Sequence, residues 1–216
     1  MNCDKASMLL YAVTDRTWLG NQTLEEQVEQ CLVGGATFIQ LREKELTDTQ
    51  LLEEAYAIKA LCAQYGVPFV INDHVEVAIA CGADGVHVGQ DDMELGNVRL
   101  RMGADKIIGV SVQTVCQALL AEKNGADYLG VGAVFTTATK ADADFVSRET
   151  LKEICNAVKI PVVAIGGINA ERILALSGTG IDGVAVVSAI FAQSNIKEAT
   201  EVLLLKSKEM VVGNEY

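Results

Sequence analysis

Proline is scarce in this chain, with two residues in 216. No stretch is rich in Ser, Pro or Gln, which excludes an evident linker or a disordered tail. No apolar run reaches 18 residues, so no segment reads as a membrane-spanning helix. The first residues carry Asp4 and Lys5 where a leader would place an apolar stretch, so a cytosolic protein is expected. Histidine occurs only at 74 and 87, without the spaced partners of a zinc site. Six cysteines, at 3, 31, 62, 81, 116 and 155, form no C-x-x-C pair. They read as packing thiols in a reducing compartment, not as disulfides or metal ligands. Basic residues are few, 17 against 29 acidic, giving a net charge of −12. That balance argues against nucleic-acid binding and against an anionic membrane surface as partner. It does not exclude a phosphorylated small molecule, because a local cluster with a metal ion reverses the field inside a cleft.

Half of the residues are hydrophobic, and the length suits one sizeable core. A short opening recurs four times: Gly35-Ala36-Thr37, Gly82-Ala83-Asp84, Gly125-Ala126-Asp127 and Gly180-Ile181-Asp182. Each leads into an apolar run. The glycine fits a helix C-cap and the run fits a buried parallel strand. The starts are 47, 43 and 55 residues apart, too long for one βα unit and about right for two. Apolar runs at residues 9–14, 69–72, 107–111 and 162–165 interleave with them. Eight runs with helix-length spacers predict an α/β fold, a single-domain (βα)8 TIM barrel over residues 1–216. Its core is expected at about 9–206, its last helix at 192–206, and a frayed end from 211. Every run ends in small or polar residues, which the barrel would gather on its carboxyl face, where active sites of this fold sit.

Three of those ends carry chemistry. Gln40-Leu41-Arg42-Glu43-Lys44 continues the second run, and Gln40, Arg42 and Lys44 share one face of an extended chain, suited to clamping a diphosphate. Asp73, after Asn72, and Asp92 close the third and fourth runs. Hard oxygens from adjacent strand ends suit Mg²⁺, although either aspartate could instead cap the following helix. The sixth run opens into a polar loop of threonines that ends in Lys140, able to hold anionic oxygens. Gly166-Gly167 after the seventh run lets backbone N–H groups approach an anion, and Val187-Ser188 begins a helix whose N-terminus can bind phosphate. His87 alternates with Val86 and Val88, faces opposite to them, and reads as a hydrogen-bonded structural residue.

Taken together these residues resemble the thiamine-phosphate synthase family, over roughly residues 10–191. The carrying motifs are Tyr11-Ala12-Val13-Thr14-Asp15, Gln40-Leu41-Arg42-Glu43-Lys44, Asn72-Asp73, His87-Val88-Gly89-Gln90-Asp91-Asp92, Gly109-Val110-Ser111, Thr137-Ala138-Thr139-Lys140, Gly166-Gly167-Ile168 and Val187-Ser188-Ala189-Ile190. The resemblance implies that the segment from Gln40 to Lys44, with Asn72 and Lys140, holds a pyrimidine diphosphate. It assigns Mg²⁺ to Asp73 and Asp92, and puts Ser111 beside the pyrimidine and its leaving group. Thr137, Ala138 and Thr139 would meet a thiazole phosphate, with Gly167, Val187 and Ser188 binding phosphate. Arg42, Ser111 and Lys140 would be the catalytic groups. The implied reaction joins the two phosphorylated halves by dissociative displacement of pyrophosphate, and needs no protein nucleophile. Ala133 and Thr136 stand where the family often has Pro, and Ala141 where a second Lys is frequent. Other readings are a thiazole tautomerase on the same barrel, a phosphosugar isomerase or aldolase using Lys140, and a non-catalytic phosphate-ligand sensor. A homo-oligomer is compatible with the sequence.

Overall fold

A computed structural model describes residues 3–89, 95–136 and 145–213. Eight strands alternate with helices: β1 Leu10–Val13, β2 Phe38–Leu41, β3 Phe69–Asn72, β4 Gly85–Val88, β5 Ile107–Val112, β6 Tyr128–Val131, β7 Val162–Ile165 and β8 Gly183–Val186. All are parallel, and β8 pairs with β1 to close the barrel. The expected (βα)8 architecture is therefore present. The helices are α1 Leu24–Val33, α2 Asp48–Tyr65, α3 Val75–Cys81, α4 Leu95–Met102, α5 Val115–Lys123, α6 Arg148–Ala157, α7 Ser188–Phe191 and α8 Ile196–Val212.

The strands are buried along nearly their whole length and mostly apolar because both faces are covered. Ile39 and Leu41 of β2, Val86 and Val88 of β4, and Leu129 and Val131 of β6 pack outward against the helices. The alternate set, including Tyr11, Phe38, Val70, Ile107, Tyr128, Val163 and Ala185, fills the barrel interior. There the rings of Tyr11, Phe38 and Tyr128 meet edge to face, with centroids 4.6 to 5.8 Å apart. Gly109 makes room for them, since a Cβ at that position would lie 2.1 Å from Cζ of Tyr128.

The fourfold repeat has a physical purpose. Its third residue latches each even strand to the odd strand before it. Thr37 Oγ1 accepts from the Leu10 N–H at 2.8 Å. Asp84 accepts from Phe69 N at 2.9 Å, Asp127 from Ile108 N at 2.7 Å, and Asp182 from Val162 N at 2.9 Å. The N–H of each latch residue returns a bond to the carbonyl of the same odd-strand residue. All four repeat glycines precede even strands, as expected, and all have positive φ, from 66° to 94°. Only glycine adopts that conformation without a steric cost.

Helix starts follow their side chains. Thr23, Thr47 and Thr114 form capping boxes with Glu26, Gln50 and Gln117, and Ser147 caps α6. The C-terminal expectation needs correction. The last helix does not span 192–206: Asn195 accepts from Glu198 N at 3.1 Å and starts α8 at Ile196. It runs to Val212 because Met210 is fully buried, so the chain is helical beyond 211, where a frayed end was expected. All six cysteines are free, and burial pushes the thiols of Cys31 and Cys62 up to about 12.

The latches can be tested singly. Asp84→Ala removes the acceptor of the N–H of Phe69, a residue with no exposed surface. The expected loss is about 1–3 kcal/mol, with a smaller loss for Asp84→Asn, which keeps a carbonyl oxygen. Urea midpoints measure both, and an alanine variant as stable as wild type would show that the latch contributes nothing.

Candidate active site

The inward alternation of the strands builds the site. Gln40 on β2, Asn72 on β3, His87 on β4 and Ser111 on β5 occupy inward positions toward the carboxyl ends of their strands, and the register sets Asn72 beside His87. One hydrogen-bonded chain joins Gln40 to Ser111. The Gln40 amide donates to Tyr11 Oη. Tyr11 and Tyr128 hydroxyls lie 2.8 Å apart. Tyr128 Oη lies 2.9 Å from His87 Nδ1, and His87 Nε2 lies 2.9 Å from Ser111 Oγ. Burial pushes both phenols above their ordinary range, so each stays protonated and donates. An arrangement in which every one of these donors is used runs from Gln40 through Tyr11 and Tyr128 to His87 Nδ1, and on from Nε2–H to Ser111. His87 is the buried, hydrogen-bonded residue expected, yet it touches Ser111, which sequence reasoning did not foresee. Tyr11 and Tyr128 were also missed as parts of the site region. Their signal was present in the same two-residue alternation that picks out Gln40.

Beyond the strand end, Arg42 and Lys44 line a cleft of about 300 Å³ with Asp15, Arg16, Thr17, Glu43 and Glu45. Gln40 lies deeper, buried in the interior. Leu41 points away, fully buried against the helices. Glu43, at the cleft wall, is paired there: its Oε2 lies 3.0 Å from Arg16 Nε. Both oxygens of Glu54, on α2, accept from Arg16 Nη2. Glu43 Oε1 is buried and finds no hydrogen-bond donor among the described residues. Burial, opposed by Arg16 and reinforced by Glu54, pushes Glu43 up to about 7.

Asp73 sits exposed at the end of β3 with φ of 61°, a left-handed conformation that costs a non-glycine residue free energy. It does not cap α3, whose N-cap is His74 without a side-chain cap bond. The capping alternative is thus excluded for Asp73. Its N–H donates to His87 O at 2.8 Å, and its carboxylate accepts from Asn72 at 2.5 Å. A hard oxygen placed this way fits a Mg²⁺ that takes one or two carboxylates and completes its shell with water and phosphate. Among the described residues no three acidic, His or Cys side chains form a metal cluster. Asp92, Thr137, Ala138, Thr139 and Lys140 lie outside the described residues, as does Ala141.

Gly166 and Gly167 follow β7 with φ of 100° and 64°. Their carbonyl side seats the start of the threonine loop, with Phe135 N donating to Gly166 O at 3.1 Å. A Cβ on Gly167 would lie 2.5 Å from Thr136 O, and one on Gly166 would lie 2.6 Å from Cβ of Ala133. The pair therefore serves loop packing as well as any approach to an anion. Val187 and Ser188 lie at the start of α7, with Ser188 exposed.

A closed eight-stranded parallel barrel with charged and polar groups gathered at its carboxyl mouth defines a (βα)8 protein of the kind that hosts enzymes. The chain matches the family model described as thiamine monophosphate synthase over residues 10–190, and it belongs to that family. It is 52% identical over 200 residues to the thiamine-phosphate synthase of Ruminiclostridium cellulolyticum, covering 93% of this chain and 95% of that one. A relative of the same name from Clostridium botulinum is 48% identical over 200 residues, covering 93% of this chain and 94% of that one. Among solved structures, the thiamine phosphate pyrophosphorylase of Pyrococcus furiosus superposes with a TM-score of 0.89 at 40% identity, covering 96% of this chain and 98% of that one.

The buried Glu43 carboxyl predicts a pH signature. Arg16, Glu54 and Asp15 are the charged groups that act on it. Its proton affinity is higher folded than unfolded, so its contribution is fully present below the ordinary value near 4.5 and is lost as pH rises through about 7. Glu43→Gln removes that dependence. The variant should gain stability relative to wild type between pH 5 and pH 8, measured as urea midpoints. An advantage that shrinks with rising pH would mean that Arg16 holds Glu43 ionised throughout.

Proposed function

We propose that this protein is a thiamine-phosphate synthase, a transferase that joins a pyrimidine diphosphate to a thiazole phosphate. It condenses 4-amino-2-methyl-5-(diphosphooxymethyl)pyrimidine with 4-methyl-5-(2-phosphooxyethyl)thiazole. The C–O bond between the methylene and the diphosphate breaks, pyrophosphate leaves with the electron pair, and the thiazole nitrogen bonds to the methylene. The observation that supports this reading is the sequence of groups along β2 and the chain that follows it: Gln40 joined to Ser111 inside the barrel, then Arg42 and Lys44 lining the cleft just past the strand end. A flat polar ring with an anionic tail fits the first with the second.

In this reading Gln40, Asn72 and Ser111 orient the pyrimidine, while Arg42, Lys44 and Lys140 hold the diphosphate. The cations neutralise charge that develops on the departing oxygen, which is electrostatic catalysis. Asp73 and Asp92 would hold Mg²⁺, which supplies Lewis-acid stabilisation of the leaving pyrophosphate. Thr137, Ala138, Thr139, Gly167, Val187 and Ser188 place the thiazole phosphate, so that its ring nitrogen comes within about 3–3.5 Å of the methylene. Among the described residues no helix is long and apolar enough to cross a membrane. A cytoplasmic location follows from the soluble substrates in this reading.

Chromatographic and mass analysis of the protein mixed with both phosphorylated halves and Mg²⁺ should give thiamine phosphate and pyrophosphate in equal amounts. Asp73→Ala should lose most of the turnover and recover part of it at high Mg²⁺. Full turnover in excess chelator would remove the metal from the reading, and absence of product would remove the synthase.

Lys140 tests the electrostatic step. A charge-assisted contact of about 1.5–3 kcal/mol that strengthens as the C–O bond breaks lowers kcat when removed. Lys140→Ala should therefore cut kcat by roughly one to two orders of magnitude, at about 1.4 kcal/mol per tenfold. Lys140→Arg should recover only part, because a planar guanidinium does not occupy the same point. A normal kcat with a raised KM in the alanine variant would assign Lys140 to binding alone.

A further inference from the structure

Arg16 stands outside every motif role described so far, yet it occupies the junction of three elements. It opens a short 3-10 turn, residues Arg16–Trp18, that Asp15 caps by accepting from Thr17 N at 2.8 Å. Its guanidinium reaches Glu43 between Arg42 and Lys44, and Glu54 on α2. The Glu43 side chain is only 4% exposed and that of Glu54 10%, and among the described residues Arg16 is the cation paired with both. The backbone is stitched at the same place. Thr14 N donates to Gln40 O at 3.0 Å, and Arg42 N donates to Thr14 Oγ1 at 3.0 Å.

The consequence lies in the order of the chain. Arg42 and Lys44 flank Glu43 beyond the end of β2, and both line the cleft. Fixing Glu43 against Arg16 therefore fixes the direction in which both neighbours point. The arrangement also removes a liability. An unpaired carboxylate between two diphosphate-holding cations would repel the substrate, and here Glu43, at the wall of the same cleft, has its charge offset by Arg16.

We propose that Arg16 is a positioning residue: by holding Glu43 and Glu54 together it orients Arg42 and Lys44 toward an anionic diphosphate. This rests on the synthase reading above. It makes no contact between Arg16 and the reacting atoms necessary.

The test is steady-state kinetics at pH 8, varying each phosphorylated half in turn, with thermal unfolding of every variant. Wild-type product formation settles the synthase reading first and separately. Arg16→Met should then raise KM for the pyrimidine diphosphate by about 10- to 100-fold, the scale on which small misplacements of binding groups act, and leave KM for the thiazole phosphate unchanged. Because it strands two buried carboxylates, that variant also loses stability. The triple variant Arg16→Met/Glu43→Gln/Glu54→Gln removes those charges and should recover most of the melting temperature. Its KM for the diphosphate should stay raised, because nothing holds the segment. Arg16→Lys should recover only part of the affinity, since an ammonium lacks the planar fork that meets two carboxylates. A KM that returns to the wild-type value together with the melting temperature would overturn the proposal, as would equal changes in KM for both substrates.

Discussion

Register is the constraint on which this molecule depends. In a closed parallel barrel a slip of one residue would turn every inward side chain outward. The latches at Thr37, Asp84, Asp127 and Asp182 act against that slip, because each fixes the first or second N–H of an odd strand to the turn that starts the next even strand. They lie at the amino end of the barrel. Their effect is felt at the carboxyl end, where the same alternation decides that Gln40, Asn72, His87 and Ser111 face inward while Leu41 and Val88 face the helices.

The interior has two tiers as a result. The lower tier is apolar and aromatic, with Met8, Phe38, Val70, Ile107 and Val163. The upper tier is polar, and burying polar groups is costly unless they are paired. Here they are paired in sequence from Gln40 through Tyr11, Tyr128 and His87 to Ser111. Two protonated phenols carry the chain across the barrel without introducing a charge. A network of that kind is rigid because each member has one satisfied arrangement. It also gives the mouth a floor of fixed hydrogen-bonding direction.

Much of this was legible from the amino acids. The repeat of Gly-Ala-Asp openings carried the barrel, since a glycine of positive φ followed by a buried run has few other uses. Thr23, Thr47 and Ser147 start their helices through local hydrogen bonds, each to the backbone N–H three residues on. The misreadings share a cause in tertiary contact. The end of α8 is held by burial of Met210, which no local pattern displays. The pairing of Glu43 was invisible for the same reason, because its partner Arg16 lies 27 positions away in sequence. The Gly166-Gly167 pair suggested an anion, and its packing under Thr136 and Ala133 becomes visible only when two loops are brought together.

The electrostatics join these levels. A chain of net charge −12 repels polyanions at long range, so any phosphate it binds must be attracted locally. Beyond the end of β2 the cleft is lined by Arg16, Arg42 and Lys44 together with Asp15, Glu43 and Glu45. Its local field therefore depends on how those charges are paired, not on their number. Glu43 is held by Arg16 from beyond the end of β1, so its charge is offset by a cation other than the Arg42 and Lys44 that flank it. The pairing of β1 with β2 that sets the register of the barrel also brings that cation to that carboxylate, so a slip of register would disturb the fold and the local field together.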